Sequence, residues 1–272
     1  MRDTNERLEF FVGNPQSGMK HADFTQTYSL IIPAYNEEKR IKPFLQQLSD
    51  DLPKNWQIII VCDGTDDTVD VARSVSQNFT ILEFEERLGK GGAILEGFKA
   101  AKGDVIGYVD ADGAIGTKEI KKVFSLVSED TQVVIGSRWV NGSVIQTRQP
   151  ISRVFLGRIY HYTAFAILGI RQKDPQCGLK AFSNQIVEEL IQRVKISNFS
   201  VDTAFLYHCK LLGQRVIEVP VKWKDVEGSK VRSVREMFFM FATLVGLKLV
   251  HSPKASKIRK LITESGEMLD AL

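Results

Sequence analysis

Cysteine is scarce in this 272-residue chain, and the three present, Cys62, Cys177 and Cys209, are widely spaced and form no Cys-x-x-Cys pair. That argues against a disulfide framework and against a structural zinc site, and it fits a reducing compartment. An excess of one charge is also missing, since 36 Lys and Arg stand against 33 Asp and Glu, a formal net charge of +3. The surplus is too small to argue for nucleic acid as a partner, although a local basic patch on a membrane-facing end stays compatible with it. No internal repeat or low-complexity tract is present. With 43% hydrophobic residues the chain has the material for a large core, enough for one domain or one and a half.

Long apolar runs are absent as well. Residues Met1 to Thr27 are polar with charges throughout and read as a flexible or loosely packed leader, without the apolar stretch of a signal peptide or anchor. Val154 to Ile170 is apolar but interrupted by Arg158 and His161, and Met237 to Val250 is apolar apart from Lys248. Neither reaches the roughly 20 residues that a membrane span requires, and both read as buried or half-buried helices. The second leads into Lys248, His251, Lys254, Lys257, Arg259 and Lys260. An apolar helix followed by basic residues is what an interfacial anchor needs, so peripheral docking on the cytoplasmic side of a membrane is the alternative reading.

What the chain does have is alternation. Ser29 to Pro33 is an apolar run of strand length, followed by a helix-like stretch from Glu37 to Leu52. Gln57 to Val61 reads as a strand, Asp63 to Asp67 as a turn with capping residues, and Thr68 to Gln77 as a helix. Strands are expected again at Ile81 to Glu85, Val105 to Val109 and Gln132 to Gly136, with helices at Gly91 to Ala101 and about Lys118 to Ser128. Strands alternating with helices give an α/β fold, a mostly parallel sheet with helices on both faces. Its ligands belong at the carboxyl ends of the strands. The texture becomes less regular near residue 140, which divides an expected domain of residues 28–235 into halves of 28–140 and 141–235. A C-terminal amphipathic and basic helical region, 236–272, follows.

Asp110-Ala111-Asp112 follows the Val105 to Val109 strand, and the period of two puts both carboxylates on one side of the chain as it leaves the sheet. Two such carboxylates suit Mg²⁺ or Mn²⁺, which completes its shell with phosphate oxygens and water. Two solvated turn aspartates would share the same pattern. Asp63 ends an earlier strand, either facing the same ligand edge or serving as a turn or cap residue. Between strand and helix, Arg87-Leu88-Gly89-Lys90-Gly91-Gly92-Ala93 offers glycines for close backbone approach and a helix N-terminus whose free N–H groups could meet an anion. The Walker spacing is absent, and the first strand does not lead into Gly-x-Gly-x-x-Gly. His208 and Cys209 lie in an apolar pattern and read as core residues, and no partner base accompanies Cys177.

These segments occur in a recognisable order: Ile32-Pro33-Ala34-Tyr35-Asn36-Glu37-Glu38, Cys62-Asp63-Gly64-Thr65-x-Asp67-Thr68, Gly89-Lys90-Gly91-Gly92-Ala93, Asp110-Ala111-Asp112-Gly113 and Gly136-Ser137-Arg138. The set resembles the family 2 glycosyltransferases with the GT-A fold. Asp174-x-Gln176-Cys177-Gly178-x-Lys180, Phe199-x-x-Asp202 and Trp223-x-x-x-Glu227-Gly228-Ser229-Lys230 are similar to the dolichyl-phosphate β-glucosyltransferase branch, with the dolichyl-phosphate mannose synthases as relatives. The likeness covers about residues 28 to 235.

The resemblance implies that Pro33, Tyr35, Glu37 and Asp63 hold the nucleoside of a nucleotide-diphospho-sugar donor, with Asp63 facing the base and Lys90 nearby. By the same likeness Asp110, Ala111 and Asp112 meet the diphosphate, Asp110 and Asp112 through the metal, and Arg138 sits by the transferred phosphate. Gln176, Lys180, Ser229 and Lys230 would line the substrate site. One departure is Cys62, where relatives carry an aspartate, so which of the two positions contacts the base stays open. The implied reaction is an inverting transfer of a hexose, glucose from UDP-glucose in the first instance, onto dolichyl or polyprenyl phosphate at a membrane surface. GDP-mannose as donor, a hydroxyl acceptor, or a non-catalytic nucleotide-sugar-binding or recruiting subunit are the alternatives.

A phosphate monoester has a second pKa of about 6 and is largely dianionic at neutral pH, so it needs no strong general base. Orientation by cations then matters more, with Arg138, Lys180 and Lys230 as candidates, each also readable as a solvated surface cation, Lys180 more so than Arg138. Arg148, Arg153 and Arg158 could help to hold a lipid phosphate. Asp112 and Arg138 lead the catalytic set. Asp202 joins it as a positioning or accessory base, and would become the in-line base only for a hydroxyl acceptor.

Overall fold

A computed structural model describes residues 26–147, 151–226 and 234–252, with backbone alone at 151–153 and 234–238. Strand β1 (Tyr28–Ala34), helix α1 (Ile41–Asp51), β2 (Trp56–Cys62), α2 (Thr68–Val75), β3 (Thr80–Glu83), α3 (Gly89–Ala100), β4 (Val105–Val109), α4 (Thr117–Ser125) and β5 (Val133–Ser137) reproduce the expected alternation. Helix α1 starts later than the apolar pattern alone implies. Asn36 adopts φ 52°, the Glu37 N–H donates to Thr68 Oγ1 at 2.8 Å, and the Glu37 carbonyl caps a turn by accepting from Arg40 and Ile41. The helix proper buries Ile41, Phe44, Leu45 and Leu48, one stripe at helical spacing.

The second half adds β6 (Val144–Thr147), α5 (Ile151–Leu168), β7 (Leu179–Ser183), α6 (Asn184–Arg193), α7 (Val201–Leu211), β8 (Val216–Pro220), β9 (Lys222–Lys224) and α8 (Val234–Val250). Seven strands form one sheet in the order β3-β2-β1-β4-β7-β5-β8, and β6 pairs with β9 in a separate two-stranded sheet. All strands of the large sheet run parallel except β7, which lies antiparallel between β4 and β5. Strand β7 comes from beyond residue 140 yet splits β4 from β5, so residues on either side of that point share one sheet.

Alternate residues feed two cores, as the period of two requires. Ile31, Ile59, Val61, Ile106 and Tyr108 face the layer that includes α3, α6, α7 and α8. Leu30, Ile32, Ile58, Ile60 and Val109 face the layer of α1, α2 and α4. Helices α5 and α8 pack together, with Tyr160 and Phe241 rings 5.6 Å apart, and leave Phe155, Tyr162, Phe165, Phe239, Val245 and Leu249 exposed. Among the described residues no helix is long and apolar enough to cross a membrane.

Candidate active site

The carboxyl end of β4 releases Asp110, Ala111 and Asp112 between β1 and the incoming β7. The Asp110 N–H donates to the Gly178 carbonyl at 3.1 Å, which ties the turn to the start of β7. A Cβ at position 178 would overlap the Asp110 carboxylate, so glycine there lets that side chain keep its place. Ala111 turns its methyl into the core, so only its backbone faces outward. Asp112 accepts the Ala114 N–H at 3.0 Å. Burial, and then the charge of neighbouring Asp110, pushes the Asp112 pKa up to about 6. A carboxylate whose charge is opposed by burial and by an adjacent carboxylate, as that of Asp112 is, fits a divalent cation that would offset the repulsion. Among the described residues no group of three His, Cys, Asp or Glu side chains forms a fuller ligand set. Water and phosphate would supply the remaining positions.

Behind this pair lies a buried chain of charges. Lys90, on the first turn of α3, reaches Asp110 Oδ1 at 2.8 Å and Asp202 Oδ2 at 2.8 Å. Asp202, on the first turn of α7, also accepts from Lys180 Nζ at 2.7 Å and from the Tyr108 hydroxyl. Burial disfavours the Asp202 charge, but Lys180 and Lys90 outweigh it and bring the pKa down to about 2. Burial likewise opposes the Lys90 ammonium, and Asp110 and Asp202 more than compensate, holding its pKa above the ordinary lysine range. Lys180 is 0% exposed on β7 and donates a second bond to the Cys177 carbonyl, which overturns its reading as a surface cation. Asp202 is correspondingly a poor general base, with three donors on its two oxygens and a depressed pKa.

Arg138, at the end of β5, is held by Asp174. Its Nε and Nη2 donate at 2.7 and 2.8 Å, and its backbone N–H adds a third bond at 2.9 Å. The guanidinium also lies 5.5 Å from the Trp223 ring centre. Burial works against its charge, and Asp174 reverses the effect and raises its pKa. Asp174 takes its place because its own N–H and that of Lys173 donate to Glu218 on β8. Gln176 is half-buried on the same loop. Burial pushes the Cys177 thiol up to about 12, so it is not a nucleophile at neutral pH.

On the nucleoside side, Pro33 lies in β1 opposite Val61, and the Tyr35 ring is covered by the Arg87 guanidinium 3.3 Å from its centre. Glu37 pairs with Arg40. Asp63 is buried at the end of β2, where Oδ2 accepts from the Leu88 and Gly89 N–H groups at 3.0 and 2.8 Å. Cys62 points into the core, so of the two positions Asp63 is the one beside the α3 loop.

The glycine-rich loop departs from expectation. Leu88 and Gly89 give their N–H groups to Asp63, and Gly91 gives its own to the Ser197 carbonyl at 2.7 Å. A Cβ at Gly91 would overlap the Ile196 carbonyl. The glycines thus admit the protein's own backbone, and three of the N–H groups expected to be free for an anion are already satisfied. His208 and Cys209 are core residues as expected, with burial and then nearby His251 lowering the His208 pKa to about 4. Arg158 stacks over Trp139 at 4.7 Å. Ser229, Lys230 and Arg148 lie outside the described residues, as does the side chain of Arg153. Tyr108, Asp174 and Glu218 carry the site's internal bonds, and of the three only Asp174 has a sequence signal, its place in a motif.

Residues 29–191 match the model of glycosyl transferase family 2. A dolichyl-phosphate beta-glucosyltransferase of Drosophila melanogaster is 33% identical over 75% of this chain and 68% of its own length. One from Trichomonas vaginalis is 29% identical over 93% of this chain and 84% of its own. Among solved structures, glucosyl-3-phosphoglycerate synthase from Mycobacterium tuberculosis, in complex with Mn²⁺, UDP and glucosyl-3-phosphoglycerate, superposes with a TM-score of 0.61 at 20% identity. The match covers 84% of this chain and 80% of that one. The shared sheet is the GT-A arrangement, and the protein belongs to glycosyl transferase family 2.

Proposed function

We propose that the protein is an inverting hexosyltransferase that moves glucose from UDP-glucose onto dolichyl or polyprenyl phosphate. The observation that carries this reading is the state of Asp202. A hydroxyl acceptor needs a carboxylate free to take its proton, and this one is held by Lys90, Lys180 and Tyr108 with its pKa lowered to about 2. A phosphate dianion brings its own nucleophilic oxygen and needs no such base. The names of the relatives agree with that acceptor, and the UDP complex of the structural neighbour agrees with that donor.

Within this reading Asp110 and Asp112 would hold Mg²⁺ or Mn²⁺, which would supply Lewis-acid charge to the leaving diphosphate. Asp63 and Tyr35 border the nucleoside. Arg138, kept in one orientation by Asp174, directs its remaining guanidinium edge toward phosphate. The exposed aromatic face of α5, with Phe155 64% and Tyr162 62% exposed, serves as the docking surface for the membrane that carries the lipid acceptor.

The test is transfer of radiolabelled sugar from a panel of UDP- and GDP-hexoses to a polyprenyl phosphate, with and without EDTA. Labelled lipid from UDP-glucose, lost on chelation, is the expected result. Label from GDP-mannose alone would replace the donor, and donor binding without labelled lipid would replace the acceptor.

A further inference from the structure

Lys90 is in an unusual position for a lysine beside a pair of candidate metal ligands. Its ammonium sits directly on one oxygen of Asp110, and the other oxygen occupies the space that a Cβ at position 178 would take. Its side chain is only 10% exposed, so it is part of the interior, not a surface group that happens to lie nearby. Three carboxylates, Asp110, Asp112 and Asp202, face two ammonium groups, Lys90 and Lys180. The cluster thus carries one net negative charge before any ligand arrives, with the Arg40 guanidinium acting on Asp112 and Asp110 from beside it. A divalent cation added alone would bring positive charge against the Lys90 ammonium, and a nucleoside diphosphate added alone would meet Asp110 and Asp112. Together the two nearly cancel.

We infer that Lys90 competes with the divalent cation for Asp110 and thereby couples cation binding to the diphosphate. Lys90 gives up Asp110 only when the diphosphate offers it a second anion, while Asp202 retains its hold on the ammonium. Lys90 is in this sense a positioning residue whose effect passes through Asp110. The brace that lets it act is visible: the Gly91 N–H donates to Ser197 just ahead of α7, so the helix carrying Lys90 and the helix carrying Asp202 are tied together beside the bridge. Free energy linkage requires the coupling to be reciprocal, with UDP tightening Mn²⁺ as much as Mn²⁺ tightens UDP.

This inference rests on the donor and metal of the proposed function, and its test separates the two. Mn²⁺ binding to the full chain is measured from the loss of the free Mn²⁺ electron paramagnetic resonance signal, with and without UDP, for wild type, Lys90→Gln and Lys90→Arg. Asp202 keeps Lys180 and Tyr108 in both variants, and circular dichroism confirms their fold. For wild type, Mn²⁺ alone should bind weakly and UDP should tighten it. In Lys90→Gln, Mn²⁺ alone should bind at least about tenfold more tightly and the enhancement by UDP should shrink, a change within the usual range of coupling. Lys90→Arg, which keeps the charge, should stay near wild type. If Lys90→Gln binds Mn²⁺ no more tightly than wild type while UDP still enhances both, the competition is wrong and the proposed function stands. If wild type binds no UDP in the presence of Mn²⁺, both are wrong.

Discussion

Replacing Asp202 by Asn removes one charge and almost no volume from the middle of the site. Lys180, at a position with 0% exposure, then has only neutral carbonyl acceptors and no anionic partner, and Lys90 keeps Asp110 as its one carboxylate. Stranding one member of a buried ion pair costs roughly 3–5 kcal/mol. At about 2–4 °C per kcal/mol for a chain of this size, the melting temperature should drop on the order of 10 °C. The native pKa of Asp202, about 2, lies below the ordinary 3.8, so its contribution is complete above pH 3.8 and is lost as pH falls toward 2. Urea unfolding at pH 7 therefore reads the whole effect. A second variant supplies the control, since Lys180→Met with Asp202→Asn removes the stranded ammonium and should recover at least about 1 kcal/mol over the single change. Wild-type stability in Asp202→Asn, combined with lost transfer and a displaced acid limb of the pH profile, would refute the argument and make Asp202 the base.

Gly178→Ala should push the Asp110 carboxylate aside, weakening Mn²⁺-dependent UDP binding by about tenfold or more by calorimetry and lowering stability by roughly 1–3 kcal/mol. His208 has a native pKa of about 4 against an ordinary 6.5, so the unfolded chain takes up its proton first and stability should fall as pH drops from 6.5 toward 4. Urea midpoints at pH 7 and pH 5 should differ less in His208→Leu than in wild type. Phe155→Ser together with Phe165→Ser should weaken binding to vesicles carrying polyprenyl phosphate by on the order of tenfold or more, since a fully buried Phe contributes about 1.5–3 kcal/mol. Unchanged co-sedimentation would exclude α5 as the docking face.

Strands β1, β2, β4 and β5 were legible because buried parallel strands are short continuous apolar runs closed by turn residues, and Val105–Val109 matched to the residue, while the half-buried edge strand β3 lay one or two residues from its expected bounds. Strand β7 was not, because Lys180 stands in the middle of Leu179–Ser183 and a charged residue argues against a central strand until its partner is known. That partner, Asp202, lies on another helix, and only folding brings the two together. The same limit explains the glycine-rich loop. Its composition announces close approach but not by what, and the neighbour proved to be Ile196 and Ser197 a hundred residues away. Charge pairs such as Arg138 with Asp174 likewise have no periodicity to read, although both residues lay in recognisable motifs.

The antiparallel strand also sets the order in which this molecule can be completed. Strand β5 joins β4 only through β7, and β8 joins the sheet only through β5. A nascent chain that has reached residue 140 therefore carries β4 and β5 as unpaired edges, each a template for a wrong partner. Registration of Leu179–Ser183 closes the free edge of β4 and one edge of β5 in one step, leaving the other edge of β5 for β8, and the same step delivers Lys180 to the interior. Assembly of the Lys180–Asp202 interior is thus a late event in synthesis, and the interval before it leaves strand edges open to aggregation.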